Sequence, residues 1–201
     1  MEPIKNEIGF HSMLAVSSVR RNGGIALLWK DTITVDPQTF SLHHIDVHVT
    51  VSIQEPWRLT GVYNHPEEQR KKETLTMIKN LHTQAALPWA CIGDFNEILQ
   101  SFEKSGGLPK PLGVMQEFRS TLLQCDLVDI GYQGYPYTWR NGRFGNAFVE
   151  LRLDQALVNL KWKERFPLAK VQQETTSYLD HDPITLHTDT RSNSRGRRKK
   201  L

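Results

Sequence analysis

Polar and apolar positions alternate with period two in "HHIDVHVTVSI", where Ile45, Val47, Val49, Val51 and Ile53 are separated by polar residues. That spacing predicts a strand with one buried face. "GGIALLWKD" (23–31) predicts a buried strand entered through a glycine pair, and "WRLTGVYNHP" (57–66) another that Pro66 ends. From Glu67 the period changes. Leu75, Ile78, Leu81 and Ala85 recur at helical spacing among charged residues, and Pro88 closes that helix ahead of a "WACIGD" strand. Met115, Phe118, Leu122 and Cys125 mark a second amphipathic helix. "YPYTWRN" and "ELRLDQALVN" read as strand-like pieces around a glycine-containing loop, and "ITLH" (184–187) as a final strand. There is no internal repeat. Antiparallel-looking strands with a few helices predict an α+β layered sandwich rather than an alternating βαβ fold.

At 201 residues, 38% hydrophobic and 23% charged, the chain has the size and composition of one domain with a proper core. No apolar run approaches the ~18 residues of a membrane span, and "MEPIKNEIGF" carries no signal-peptide pattern. Cys91 and Cys125 form no CxxC or Cys/His cluster, so each reads as a small core hydrophobe in a reducing, intracellular compartment. The net charge of +3 hides an asymmetry. Of 25 Lys and Arg, six lie in "RSNSRGRRKKL" (191–201), which has no acid; the rest of the chain sets 19 basic residues against all 22 acidic ones. Residues 1–190 are therefore read as the folded domain and 191–201 as a basic disordered tail, a candidate for nuclear localisation or phosphate binding.

Acidic residues punctuate the edges of apolar strands at three places. In "WACIGDFNEIL" (89–99), Asp94 and Asn96 share a face if the chain stays extended, with Phe95 turned away. Asp154 interrupts the apolar run of "RLDQALV", and a carboxylate near a core persists when paired or hydrogen-bonded. Asp180 and His181 stand together in "LDHDPI". A carboxylate on one imidazole nitrogen fixes the tautomer and supports the imidazolium. Acids, an amide and a histidine are the parts phosphoester cleavage uses.

"GVYNHP", "IGDFNEIL", "YTWRN", "RLDQALVN" and "DHDPI", in this order, resemble the endonuclease/exonuclease/phosphatase superfamily. With "EKSGG", "CDLVDIGYQGYPYTW" and "FP" between them, the chain from about Gly9 to Leu186 is most similar to the endonuclease domain of plant non-LTR retrotransposons. The resemblance implies a four-layer α/β/β/α sandwich lacking the first strands, with the site at one end of the paired sheets. It implies a Mg²⁺- or Mn²⁺-dependent phosphodiesterase, a DNA-nicking endonuclease by descent and a monomer. Asp94 and Asn96 would hold the attacking water, the phosphate or a metal. His181 would act on the scissile phosphate, oriented by Asp154, and Asp180 would help bind the metal. Tyr63 would support the phosphate or leaving group, and Thr138 would contact the phosphate. Two departures bear on activity. The family opens with an asparagine strand and a strand ending in a metal-binding glutamate; this chain starts after both, and neither Glu2 nor Glu7 sits in that motif. Leu179 stands where the family has serine. A catalytically inactive retroelement remnant with residual nucleic-acid binding is the alternative, and a phosphatase of small or lipid phosphates a third.

Overall fold

A computed structural model describes residues 7–17, 24–65, 67–84, 86–176 and 180–188. The expectations for Glu2, Gly23, Pro66, Ala85, Leu179 and the basic segment 191–201 fall outside these residues.

The chain opens with β1 (Ser12–Val16), β2 (Ile25–Trp29), β3 (Ile33–Ser41), β4 (His44–Val51) and β5 (Trp57–Tyr63). Helix α1 (Lys71–His82) then leads to β6 (Trp89–Asp94) and the short β7 (Lys104–Ser105). After α2 (Leu112–Gln124) come β8 (Val128–Asp129), β9 (Trp139–Arg140), β10 (Glu150–Leu151) and β11 (Asp154–Val158). Helix α3 (Leu160–Arg165) and the hairpin β12 (Lys170–Gln173) and β13 (Ile184–His187) complete it.

A six-stranded sheet, β3-β4-β5-β6-β11-β8, forms the centre. Its pairs are antiparallel except β5–β6, which are parallel and joined through α1. A parallel pair needs such a crossover. Val62, Cys91 and Leu157 face α1 and α2 and bury Leu75, Ile78, Leu81, Phe118 and Leu122. Ile45, Val47, Val49, Ala90 and Val158 face the other way, toward apolar side chains of the β1–β2 and β12–β13 hairpins and Trp162 of α3. A separate three-stranded sheet, β7-β10-β9, lies over Ile98, Met115 and Leu153.

The predicted strands and helices are present, but β2, predicted to be buried, is half-buried throughout, and "YPYTWRN" contributes only Trp139–Arg140. The β4 alternation stops at Val51; Ile53, placed by spacing on the buried face, lies beyond the strand in a turn and is fully exposed. The polar face of β4 is not solvated either, because Asp46 is wholly buried. Strand β3, absent from the predicted elements, contains Pro37, a residue that sheets confine to edges and bulges. It survives as an edge strand whose register shifts between Pro37 and Thr39. Cys91 and Cys125 are both free and buried, as small core residues.

Candidate active site

Strand register assembles the site. Tyr63 on β5 pairs with Asp94 on β6, which pairs with Asp154 on β11, so three expected residues stand in one row across the sheet. The row is the last rung of the sheet, on the face covered by the hairpins. Immediately before it, Gly93 has φ +140°, and a Cβ there would meet the Val62 carbonyl oxygen at 2.1 Å. Only glycine allows β6 to come this close to β5 just ahead of Asp94.

Asp94 and Asn96 do meet, but by a turn rather than an extended segment. Asn96 adopts φ +49°, a left-handed conformation that asparagine tolerates. Its backbone N–H donates to Asp94 Oδ1 (2.8 Å) and its amide to Asp94 Oδ2 (2.7 Å). The same amide donates to the Asn64 carbonyl (2.9 Å), so both of its donors are engaged within the protein. Phe95 points away and is fully buried in the helix-side core.

His181 arrives from the turn before β13. Its backbone bridges to Trp139 of β9. Nδ1 lies 2.9 Å from Asp154 Oδ2, and Nε2 lies 3.9 Å from Asp94 Oδ2. The imidazole thus stands between two carboxylates, one closely bonded and one within electrostatic reach. Burial pulls the His181 pKa down, but the hydrogen bond and charge of Asp154, with Asp94 and Asp180 behind them, carry it above its ordinary value. Burial and the facing Asp154 charge push Asp94 up to about 7, against the pull of His181 and Asn96. Perturbed groups converging at a strand end are a recognised mark of function.

The other expected residues take different places. The ring of Tyr63 is parallel to that of His43, with centroids 6.4 Å apart. Asp180 is exposed beside His181, and its carbonyl accepts from the Arg140 backbone. Thr138, expected at the phosphate, is wholly buried behind the site. Its Oγ1 accepts the backbone N–H groups of Leu153 and Asp154 (2.9 Å each), and its carbonyl accepts from Asp182. Thr138 therefore positions the Asp154–His181 pair from beneath.

Sequence reasoning missed two residues that hold this geometry. Asn64 is buried between the ends of β5 and β6; its amide donates to the Phe95 carbonyl (2.6 Å) and its backbone N–H to that of Asp94 (2.8 Å). Asp182 is buried, pairs with Arg140 and accepts from the Thr176 backbone, fixing the turn that carries His181. The signals were a polar residue immediately after an apolar strand and the second acid of "DHD".

The implied divalent metal meets a short donor set. Both Asp94 oxygens receive Asn96 hydrogen bonds, Asp154 is taken by His181, and among the described residues no group of three His, Cys, Asp or Glu side chains could hold a metal ion. Asp94 and the exposed Asp180 would still offer a divalent ion one or two carboxylates, the number Mg²⁺ commonly takes, with water completing its shell. A cavity of about 790 Å³ opens at the other end of β6, lined by His82, Trp89, Leu123 and Leu160, and contains none of the clustered groups.

Among solved structures, the endonuclease domain of TRAS1, a telomere-specific non-LTR retrotransposon, superposes with a TM-score of 0.70 at 14% identity. The match covers 89% of this chain and 81% of that one. The fold is that of the endonuclease/exonuclease/phosphatase proteins. A protein of that family from Bacteroides thetaiotaomicron gives a TM-score of 0.64 at 13% identity, over 92% and 77% of the two chains. D. rerio TDP2, in complex with a single-stranded DNA product, gives 0.59 at 14% identity over 91% and 78%. No family model matches the sequence, and no curated protein does. Among the described residues no helix is long and apolar enough to cross a membrane.

Proposed function

We propose that the chain is a nucleic-acid phosphodiesterase domain, with DNA as its substrate. The observation that carries this reading is the Asp94–His181–Asp154 cluster, with a histidine held between two carboxylates at the open end of the sheet. The TRAS1 and TDP2 likenesses favour a nuclease-type use of that end.

Each group has a role its geometry allows. With its pKa raised, His181 is protonated at neutral pH to a greater extent than a free histidine, and Nε2 is the donor left for a phosphate oxygen. Asp154 holds Nδ1–H and thereby the ring's orientation. Asp94, at about 7, is matched to accept a proton from an attacking water. Water then adds to phosphorus, the ester P–O bond breaks, and the departing oxygen takes up a proton. A divalent ion, when bound, supplies neutralisation of phosphate charge. The basic segment 191–201 adds sequence-independent affinity by releasing counterions, and a nuclear location is consistent with it.

One observation favours a second reading, a phosphate-binding domain without turnover: the described residues lack a three-ligand metal cluster. Incubating the purified chain with supercoiled plasmid separates the two. The expected result is slow nicking, about 100-fold slower in His181→Ala, because a developing phosphorane loses its donor. Nicking unchanged by His181→Ala contradicts the assigned roles. Oligonucleotide binding without nicking under any divalent ion selects the second reading.

A further inference from the structure

A row of paired residues leads away from the site. His181 bridges to Trp139, Trp139 pairs with Leu151, and Leu151 pairs with Lys104. Residues directly opposite one another on neighbouring strands project from the same face. Lys104 therefore shares a face with His181, three strand spacings away, or about 14 Å at ~4.8 Å per strand.

At that far end lies a cavity of about 240 Å³, bounded by Ile98, Ser101, Lys104, Gly106, Gly107 and Lys110. That is room for a phosphate group and several waters at ~30 Å³ each. Lys110 meets Glu97 at 2.9 Å, a carboxylate already shared with Lys71. Lys104 has no carboxylate partner among the described residues and is half-buried on a strand. The wall opposite is held fixed. Gly106 and Gly107 both have positive φ, and a Cβ on Gly106 would meet the Phe148 carbonyl oxygen at 2.1 Å. The cavity thus combines excess positive charge, a hydroxyl and a preformed backbone wall.

Building on the nuclease reading above, we propose that this cavity is a second phosphate subsite, and that it receives a non-scissile phosphate of the same polynucleotide strand, a few nucleotides from the one at His181. The substrate is then a strand long enough to span the Trp139–Leu151 rungs, rather than a mononucleotide or small phosphate ester. Trp139 and Leu151 are half-buried, resting on Ile98, Met115 and Leu153 with part of each side chain exposed, so the span between the subsites is held by the core.

The test measures binding of a fluorescent single-stranded octanucleotide and a dinucleotide to the full chain across a salt series. Wild type should bind the octanucleotide much more tightly. Lys104→Gln should weaken the octanucleotide about fivefold and lower its salt slope by about 1, leaving the dinucleotide unchanged. Lys104→Arg, which keeps the charge, should restore both. Equal affinity and slope in wild type and Lys104→Gln would overturn the subsite while leaving the nuclease reading intact. No octanucleotide binding even by wild type would overturn both. Inorganic phosphate that perturbs the amide signals of Gly106 and Gly107, with octanucleotide binding unaffected by Lys104→Gln, would assign the cavity to a free phosphate and overturn the strand.

Discussion

Two buried acidic clusters lie on the same six-stranded sheet and are put to opposite uses. At its middle, Asp46 receives Arg58 Nε (2.8 Å to Oδ1), Arg58 Nη2 (2.9 Å to Oδ2) and the Thr60 hydroxyl (2.6 Å). Arg58 also donates to the Leu81 carbonyl and lies over the Trp89 ring at 5.0 Å. Every charge there has a partner. At the end of the sheet, Asp94 faces Asp154 with one histidine between them, and their charges are incompletely balanced. The fully paired cluster fixes α1 on the sheet. The unbalanced one lies at the open end of the sheet, and in the proposed mechanism it keeps a proton in play there.

The largest effect that would sharpen this contrast is at the paired cluster. Arg58→Ala strands Asp46 in the core, and breaking a buried pair this way costs about 3–5 kcal/mol. Urea unfolding should report a loss of that size, and a loss below about 1 kcal/mol would dissolve the distinction. At the site the sign of the trade reverses. Asp154→Asn removes a carboxylate that raises the pKa of its neighbour, so stability should stay within about 1 kcal/mol of wild type. Plasmid nicking should nonetheless fall about 100-fold, as His181 loses its anchor.

Thr138 joins the two kinds of behaviour, being a buried structural residue under the proposed catalytic pair. Thr138→Val keeps the shape but leaves the Leu153 and Asp154 N–H groups without an acceptor, at a cost of about 1–3 kcal/mol. Thr138→Ser should restore stability and nicking together, whereas a serine variant as impaired as valine would refute the hydroxyl's role.

The smallest expected effect is on pH. Asp94 titrates near 7 in the fold against 3.8 ordinarily, so its contribution is fully present below about pH 3.8 and is lost as pH rises through 7. His181 is raised above 6.5, so its contribution is present below 6.5 and lost as pH rises through its folded value. Both act in the same direction. The thermal midpoint should drop by a few degrees between pH 5 and pH 8, and Asp94→Ala should reduce that drop.

How much of this the sequence discloses depends on which signal each residue emits. Asp94, Asp154 and His181 were visible because each interrupts or ends an apolar run, and register then places the first two side by side. Asp46 and Arg58 were not, because they occupy the polar phase of alternating strands and read as a solvated face. Only the packing of α1 over that face, with Leu81 supplying an acceptor, buries them. The short strands β7 to β10 offer too few residues for a period to register. Their tertiary pairing nonetheless carries Trp139 to His181 and Lys104 into the same row. The α+β layered class was legible from antiparallel-looking strands mixed with a few helices. The left-handed turn at Asn96 was not, since the extended reading gives the right neighbours by another geometry.

The central claim is that the imidazole held between Asp94 and Asp154 meets a phosphate. Nuclear magnetic resonance of the histidine ring nitrogens, during titration of the full chain with a short single-stranded DNA, tests it directly. Saturable movement of the His181 Nε2 signal, with Nδ1 remaining bonded to Asp154 and the remote His82 unmoved, is the predicted result. DNA binding that leaves His181 Nε2 unperturbed would contradict the claim.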